Sequence, residues 1–243
     1  MMRVLPAALL AIALAAPASV PVSAQVRCGE DLPPIDRDAD SRMSARDFVR
    51  EVTAKETEVV RALANFGYTV EASVQTLSGD TVDGEFRLVS TLGFDDKGPK
   101  REVAESVNTL KRIKFADRDV DVLRDAFFLT PDRIATGDIV FSGRQRVDRF
   151  NAALFDVLPR DRAAEVRGFQ GRVWVRARDD APMRLCGRSG STPIAPLRFE
   201  VVRALVAEQY WLPVLIRADE DARIGGDTVR VRISVKYSNY KAR

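Results

Sequence analysis

Two hydrophobic periods run along this chain, and they divide it. From Ser44, apolar residues recur at helical spacing: Phe48, Val49, Val52, Val59, Val60, Leu63 and Phe66 share one side of a wheel. The other side carries Arg46, Arg50, Glu51, Lys55, Glu58 and Arg61, with the small Ala54 among them. Ser44-x-x-Asp47 resembles a capping box with Asp in the acidic position, and Gly67 is placed to close the helix. Glu51 and Lys55 stand four apart in the order that favours a helix-surface ion pair.

After Gly67 the period drops to two. Tyr68, Val70, Ala72 and Val74 alternate with Thr69, Glu71 and Ser73, which predicts a strand with one buried face. Gly79-Asp80 and Asp83-Gly84 are both hairpin signals, and either can close the first turn. A second strand holds Phe86, Leu88 and Ser90; Asp95-Asp96-Lys97-Gly98 turns into a third over Arg101 to Val107. A short helix then interrupts, with Asp117 or Asp119 as cap, Val120, Leu123 and Phe127 on one face, and Thr130-Pro131 as its end. Further strands fall at Asp138 to Phe141, Ala153 to Leu158, Val173 to Ala177, Met183 to Leu185, Phe199 to Arg203, Trp211 to Arg217 and Val229 to Tyr237.

About ten alternating strands, one long helix and one short helix predict an α+β protein. Its antiparallel sheet is large enough to curl into a half-barrel, with the amphipathic helix packed on the concave face. No linker or repeat divides residues 44–243, which read as one domain, preceded by an irregular segment over 25–43.

The first 24 residues have a different character. Arg3 precedes an uncharged run from Leu5 to Ala16, Pro17 and Pro21 break it, and Val22-Ser23-Ala24 is a small-residue cleavage site. This is the pattern of a secretory signal peptide cut before Gln25; its apolar run is too short for a spanning helix. Val26 and Arg27 are not the small residues of a lipoprotein cleavage box, so Cys28 is not expected to carry lipid. In an exported chain, Cys28 and Cys186 are expected to form one disulfide joining the start of the mature chain to a distant hairpin. The expected location is the periplasm, or outside the cell, with no transmembrane segment in the mature chain.

Composition narrows the chemistry. The 243 residues include no histidine, which excludes a Ser-His-Asp triad, a Cys-His pair and histidine-based zinc sites. Lys+Arg 38 against Asp+Glu 35 is near balance, and nucleic acid is not an expected partner. Ser238-Asn239-Tyr240-Lys241 has the spacing of an S-x-x-K acylase motif but lies at a strand end; Gly187-Arg188-Ser189-Gly190 falls short of a nucleophile elbow. Asp117, Asp119 and Asp121 lack the loop glycine and distal glutamate of a calcium loop, and read as a capped helix start. No catalytic residue, metal site or cofactor is therefore expected.

The densest basic group is Arg172, Arg176, Arg178, Arg184 and Arg188. It reads as an outer face paired with acidic residues of neighbouring strands, the other reading being a docking surface for lipid headgroups or an acidic partner. The large apolar groups able to line a cavity are Phe86, Phe94, Phe127, Phe128, Trp174, Tyr210 and Trp211. Alternation places Trp174 on the face of Arg172 and Arg176. A hollow barrel and a filled one share the same alternation.

Four short stretches stand in order: Phe169-Gln170-Gly171-Arg172-Val173-Trp174-Val175, Pro182-Met183-Arg184, Trp211-Leu212-Pro213 and Val235-Lys236-Tyr237-Ser238-Asn239-Tyr240. With them the chain resembles the LolA/LolB-like superfamily of periplasmic outer-membrane lipoprotein carriers, over roughly residues 44–243. The resemblance implies a half-barrel covered by helices. It also implies an apolar concave cavity that holds acyl chains. Together with the lack of catalytic residues, this leads to the expectation of a non-enzymatic protein binding a lipid, acyl chain or lipidated protein. A filled barrel that serves as a protein-interaction module of the cell envelope is the alternative.

Overall fold

The computed structural model describes residues 28–134, 137–194 and 197–243. The expected signal peptide over 1–24 lies outside the described residues. The elements are α1 (Ala45–Leu63), β1 (Phe66–Ser78), β2 (Thr81–Asp95), β3 (Gly98–Asn108), α2 (Asp117–Asp125), α3 (Pro131–Ile134) and β4 (Gly137–Val147). They continue with β5 (Phe150–Pro159), α4 (Arg162–Arg167), β6 (Phe169–Arg176), β7 (Pro182–Ser189), β8 (Phe199–Val206), β9 (Tyr210–Ile224) and β10 (Asp227–Ala242).

All ten strands join one open antiparallel sheet in the order β3-β2-β1-β10-β9-β8-β7-β6-β5-β4. Every neighbouring pair is consecutive in sequence except β1 and β10, which pair from Phe66↔Ala242 to Leu77↔Arg230. The sheet curves into a half-barrel. Its concave face holds α1 and α2, which bury their apolar stripes there.

The α+β half-barrel follows the sequence expectation, and its details correct it in several places. Ser44 caps α1 as expected, its hydroxyl accepting from the Asp47 N–H at 3.1 Å. The helix ends at Leu63, however, and Phe66 and Gly67 belong to β1, where they pair with Ala242 and Lys241. Sheet pairing outweighs local helical spacing here, and Phe66 stays in the core at 5% exposure. Lys55 pairs with Glu58 at 3.0 Å instead of Glu51, whose partner is Arg50 at 2.9 Å.

The first hairpin turns at Gly79-Asp80; Asp83 lies within β2 and accepts from the Thr76 hydroxyl at 2.6 Å. Neither Asp117 nor Asp119 is the cap residue of α2. That position is Ala116, whose N–H donates to the Asp119 carboxylate at 2.8 Å. Phe127 lies beyond the end of α2, and Pro131 opens α3 as well as stopping what precedes it, in keeping with proline's suitability for a first helical position. Among the described residues there are thus three short helices where one was expected.

The two faces of the sheet carry two separate cores. Phe155, Val173, Val175 and Leu212 join the concave cluster with α1 and α2. Their alternating neighbours Leu154, Trp174 and Trp211 point the other way, into a smaller cluster with Met183 and Cys186. The segment 28–43 roofs this second cluster. Cys28 is disulfide-bonded to Cys186, with the Cα atoms 5.6 Å apart, and Leu32 and Ile35 pack onto the same cluster. Arg184 donates to Asp31 at 2.6 and 3.1 Å, and Asp36 exchanges two 2.8 Å backbone hydrogen bonds with Arg144 of β4.

Candidate functional site

Three parts of the surface and interior are open to a functional reading: the concave face, the mouth where α1 meets β1, and the outer face beside the disulfide. The concave face is packed at its centre, and at its edge a groove of about 670 Å³ opens between the start of α1 and β4, lined by Val49, Arg50, Asp138 and Ile139. Phe48 and Val52 of α1, Val120 and Leu123 of α2, and Leu88 of β2 are each 0% exposed. Side chains that no water-sized sphere can touch leave no space for an acyl chain beside them. Phe86 lies at 5.1 Å from Phe115, and Phe127 at 5.1 Å from Phe199, both as core rings.

A buried ion pair crosses this core. Glu56, on the apolar stripe between Val52 and Val59, meets Arg203 of β8, and both side chains are 0% exposed. Arg203 Nη2 donates to Glu56 Oε2 and to the Phe127 carbonyl, each at 2.9 Å, while the Leu129 N–H donates to Glu56 Oε2 at 2.9 Å. Phe128 sits under the same guanidinium at 5.5 Å. The pair fixes α1, β8 and the 127–129 segment relative to one another. Sequence reasoning missed it, although a carboxylate on an otherwise apolar stripe signals a buried cation.

At the mouth, a groove of about 480 Å³ is lined by Val60, Leu63, Leu92 and Phe128, with Tyr68, Arg124, Asp125, Thr130 and Arg133 as its polar groups. It adjoins a second of about 450 Å³ that shares Tyr68 and Leu92 and contains Phe94. Arg124 donates to the Tyr68 hydroxyl and, at 2.8 Å, to Asp125. Burial pushes the phenols of Tyr68, Tyr237 and Tyr240 up, so all three remain neutral at neutral pH. Two guanidinium groups, a carboxylate and a neutral phenol can bind and orient a ligand there.

The seven aromatic residues singled out from the sequence do not converge on one cavity. Phe86, Phe127 and Phe128 are core, half-buried Tyr210 stands edge-on to Phe66 at 6.1 Å, and half-buried Phe94 lies under Arg243 at 5.3 Å. Trp174 and Trp211 belong to the opposite face, where Trp174 Nε1 donates to Gln145 Oε1 at 2.6 Å and Arg176 lies 5.2 Å over Trp211.

The basic cluster is largely paired. Arg172 binds Asp156 through two hydrogen bonds of 2.8 and 3.2 Å, Arg176 binds Asp179 at 2.6 Å, and Arg184 joins Asp31 to the fully buried Glu200. Arg178 is exposed, and Arg188 reaches Glu220 only at 3.5 Å. Asp117, Asp119 and Asp121 turn to different partners: Ser106, the Ala116 N–H, and Arg101 with Arg124. Among the described residues, no group of three or more His, Cys, Asp or Glu stands together as a metal site, and no helix is long and apolar enough to cross a membrane.

No family model and no curated protein matches this chain. Solved structures do. A LolA superfamily protein from Nitrosomonas europaea aligns at 10% identity over 80% of this chain and 93% of its own, with a TM-score of 0.38. A DUF1329 family protein from Desulfovibrio piger aligns at 14% identity over 82% and 93%, with a TM-score of 0.38. An outer membrane lipoprotein-sorting protein domain from Vibrio parahaemolyticus aligns at 9% identity over 82% and 94%, with a TM-score of 0.41.

Proposed function

We propose that this chain is a non-enzymatic binding module of the cell envelope whose half-barrel is filled by its own helices, so that partners meet it at the surface. One observation carries the reading: the concave face, where the sequence resemblance implies an apolar cavity, is packed by α1 and α2 down to 0% exposure at Phe48, Val52, Val120 and Leu123. The leader pattern and the Cys28–Cys186 disulfide support an oxidising, exported location. The absence of histidine from the sequence removes the commonest general base.

Native mass spectrometry of the purified mature protein, paired with solvent extraction, tests this directly. The expected result is the bare polypeptide mass. A stoichiometric acyl lipid in the extract would overturn the filled-barrel reading.

A second reading is favoured by the mouth groove, whose apolar Val60, Leu63, Leu92 and Phe128 stand beside Arg124. There a lipid, acyl chain or lipidated protein would lie against the half-barrel instead of inside it. Titration with a fluorescent fatty-acid analogue separates the two readings. Binding that is weakened by Phe128→Ala and untouched by Trp211→Ala supports the groove; no saturable binding removes it.

A further inference from the structure

On the outer face, a cleft of about 420 Å³ opens beside the disulfide. Its floor is made by the β6–β7 pair, where Gly171 lies opposite Gly187, and its wall includes Cys28 and Cys186. Three arginines line it, Arg172, Arg188 and Arg198, against one lining carboxylate, Asp156. Arg172 is committed to Asp156. The other two reach Glu220 behind the cleft, at 3.5 Å from Arg188 and 4.0 Å from Arg198, and that carboxylate also accepts from the Arg198 backbone N–H at 2.9 Å. The two side-chain distances are at the outer limit of ion pairing, both side chains are more than 40% exposed, and Arg188 Nε is buried with no hydrogen-bond partner. Positive charge is therefore concentrated here and incompletely neutralised.

The rim is apolar. Leu158 lines the cleft and is 49% exposed, and Val140, also on the outward side of the β4–β5 hairpin, is 46% exposed. Val166 of α4 is 62% exposed, and its carbonyl lies against Gly190, at the end of β7. A free anion has no use for such a rim. An extended polypeptide does, because it carries carboxylates and aliphatic side chains at alternating positions and can place one in the cleft and the other on the rim.

We propose that this cleft docks an acidic, aliphatic segment of a partner protein, a carboxylate of the segment pairing with Arg188 and Arg198 while its apolar neighbours cover Leu158. The inference rests on the surface-binding reading above and names the place and the partner's chemistry.

The test is fluorescence polarisation of the purified mature protein with a labelled peptide of alternating Glu and Leu, and with its Lys–Leu counterpart. The expected result is saturable binding of the Glu–Leu peptide alone, weakened at least tenfold in Arg188→Glu/Arg198→Glu and weakened by added salt. Circular dichroism and Tm verify that the variant folds; if it does not, Arg198→Ala alone is read, with a smaller loss expected in the same direction. No binding, equal binding of both peptides, or binding unchanged by the substitutions would overturn the proposal. Inorganic phosphate or phosphatidylglycerol vesicles that displace the peptide at comparable concentration would overturn it too, by assigning the arginines to phosphate. An acyl-loaded native mass bears only on the filled-barrel reading, so the two failures are told apart.

Discussion

Glu56 and Arg203 face one another in the middle of the concave core with neither side chain touching water, 147 residues apart in sequence. Two charges removed from water repay their desolvation only when every lone pair and proton finds a partner. Here the carboxylate also accepts from the Leu129 N–H, and the guanidinium also donates to the Phe127 carbonyl. The two charges are repaid at every polar atom named except Arg203 Nε, which is buried without a partner. The pair thus locks the helix that fills the centre of the half-barrel.

Removing one partner leaves the other charge buried and uncompensated. Arg203→Met is expected to cost about 3–5 kcal/mol, read as a fall in the urea midpoint. The double variant Glu56→Leu/Arg203→Met should be more stable than Arg203→Met. If the two variants unfold at the same midpoint, the pair is not the lock described here.

The disulfide closes a separation of 158 residues. Chain entropy sets its contribution at about 5 kcal/mol at most. Dithiothreitol or Cys28→Ser/Cys186→Ser should therefore lower Tm markedly, while a thiol titration of the unfolded, unreduced protein should find no free thiol.

Hydrogen bonds from Arg184 hold the Asp31 carboxyl below the usual carboxylate range. A depressed folded pKa gives stability that is present above the unfolded pKa, about 3.9, and is lost as pH falls through the folded value. Wild type should exceed Asp31→Asn in urea midpoint at pH 7, and the gap should narrow as pH falls below about 4. A gap unchanged at pH 3 would mean that the Arg184 contact does not stabilise the roof segment.

Gly171 adopts φ +145°, and a Cβ there would lie 2.3 Å from the Cys186 carbonyl oxygen and 2.5 Å from the Gly187 Cα. Both atoms are backbone and cannot yield. Gly171→Ala should cost well over about 1 kcal/mol and separate β6 from β7 beneath the cleft. A wild-type Tm in that variant would show that the strands have room to part.

How much of this was legible beforehand follows from which forces are local. Alternation along Tyr68–Val74 and Val229–Tyr237, and the 3.6-residue stripe from Phe48 to Leu63, state the elements because burial of one face is written into each segment. The cysteine pair was legible because two cysteines behind a leader-like segment leave one pairing. The end of α1 was not: Phe66 continues the helical spacing, and only β10 across from it makes a strand the better use of its backbone. Trp174 and Trp211 look like cavity residues in sequence, and only the roof over 28–43 gives them a dry face of their own.

By itself, the sequence determined the periods, the likeness to a half-barrel family and the lack of histidine chemistry. The tertiary structure alone decided whether the barrel is hollow or filled, since alternation records which side of a strand is dry and not what dries it. Here the answer is Phe48, Val52 and Leu123, held in place by Glu56 against Arg203.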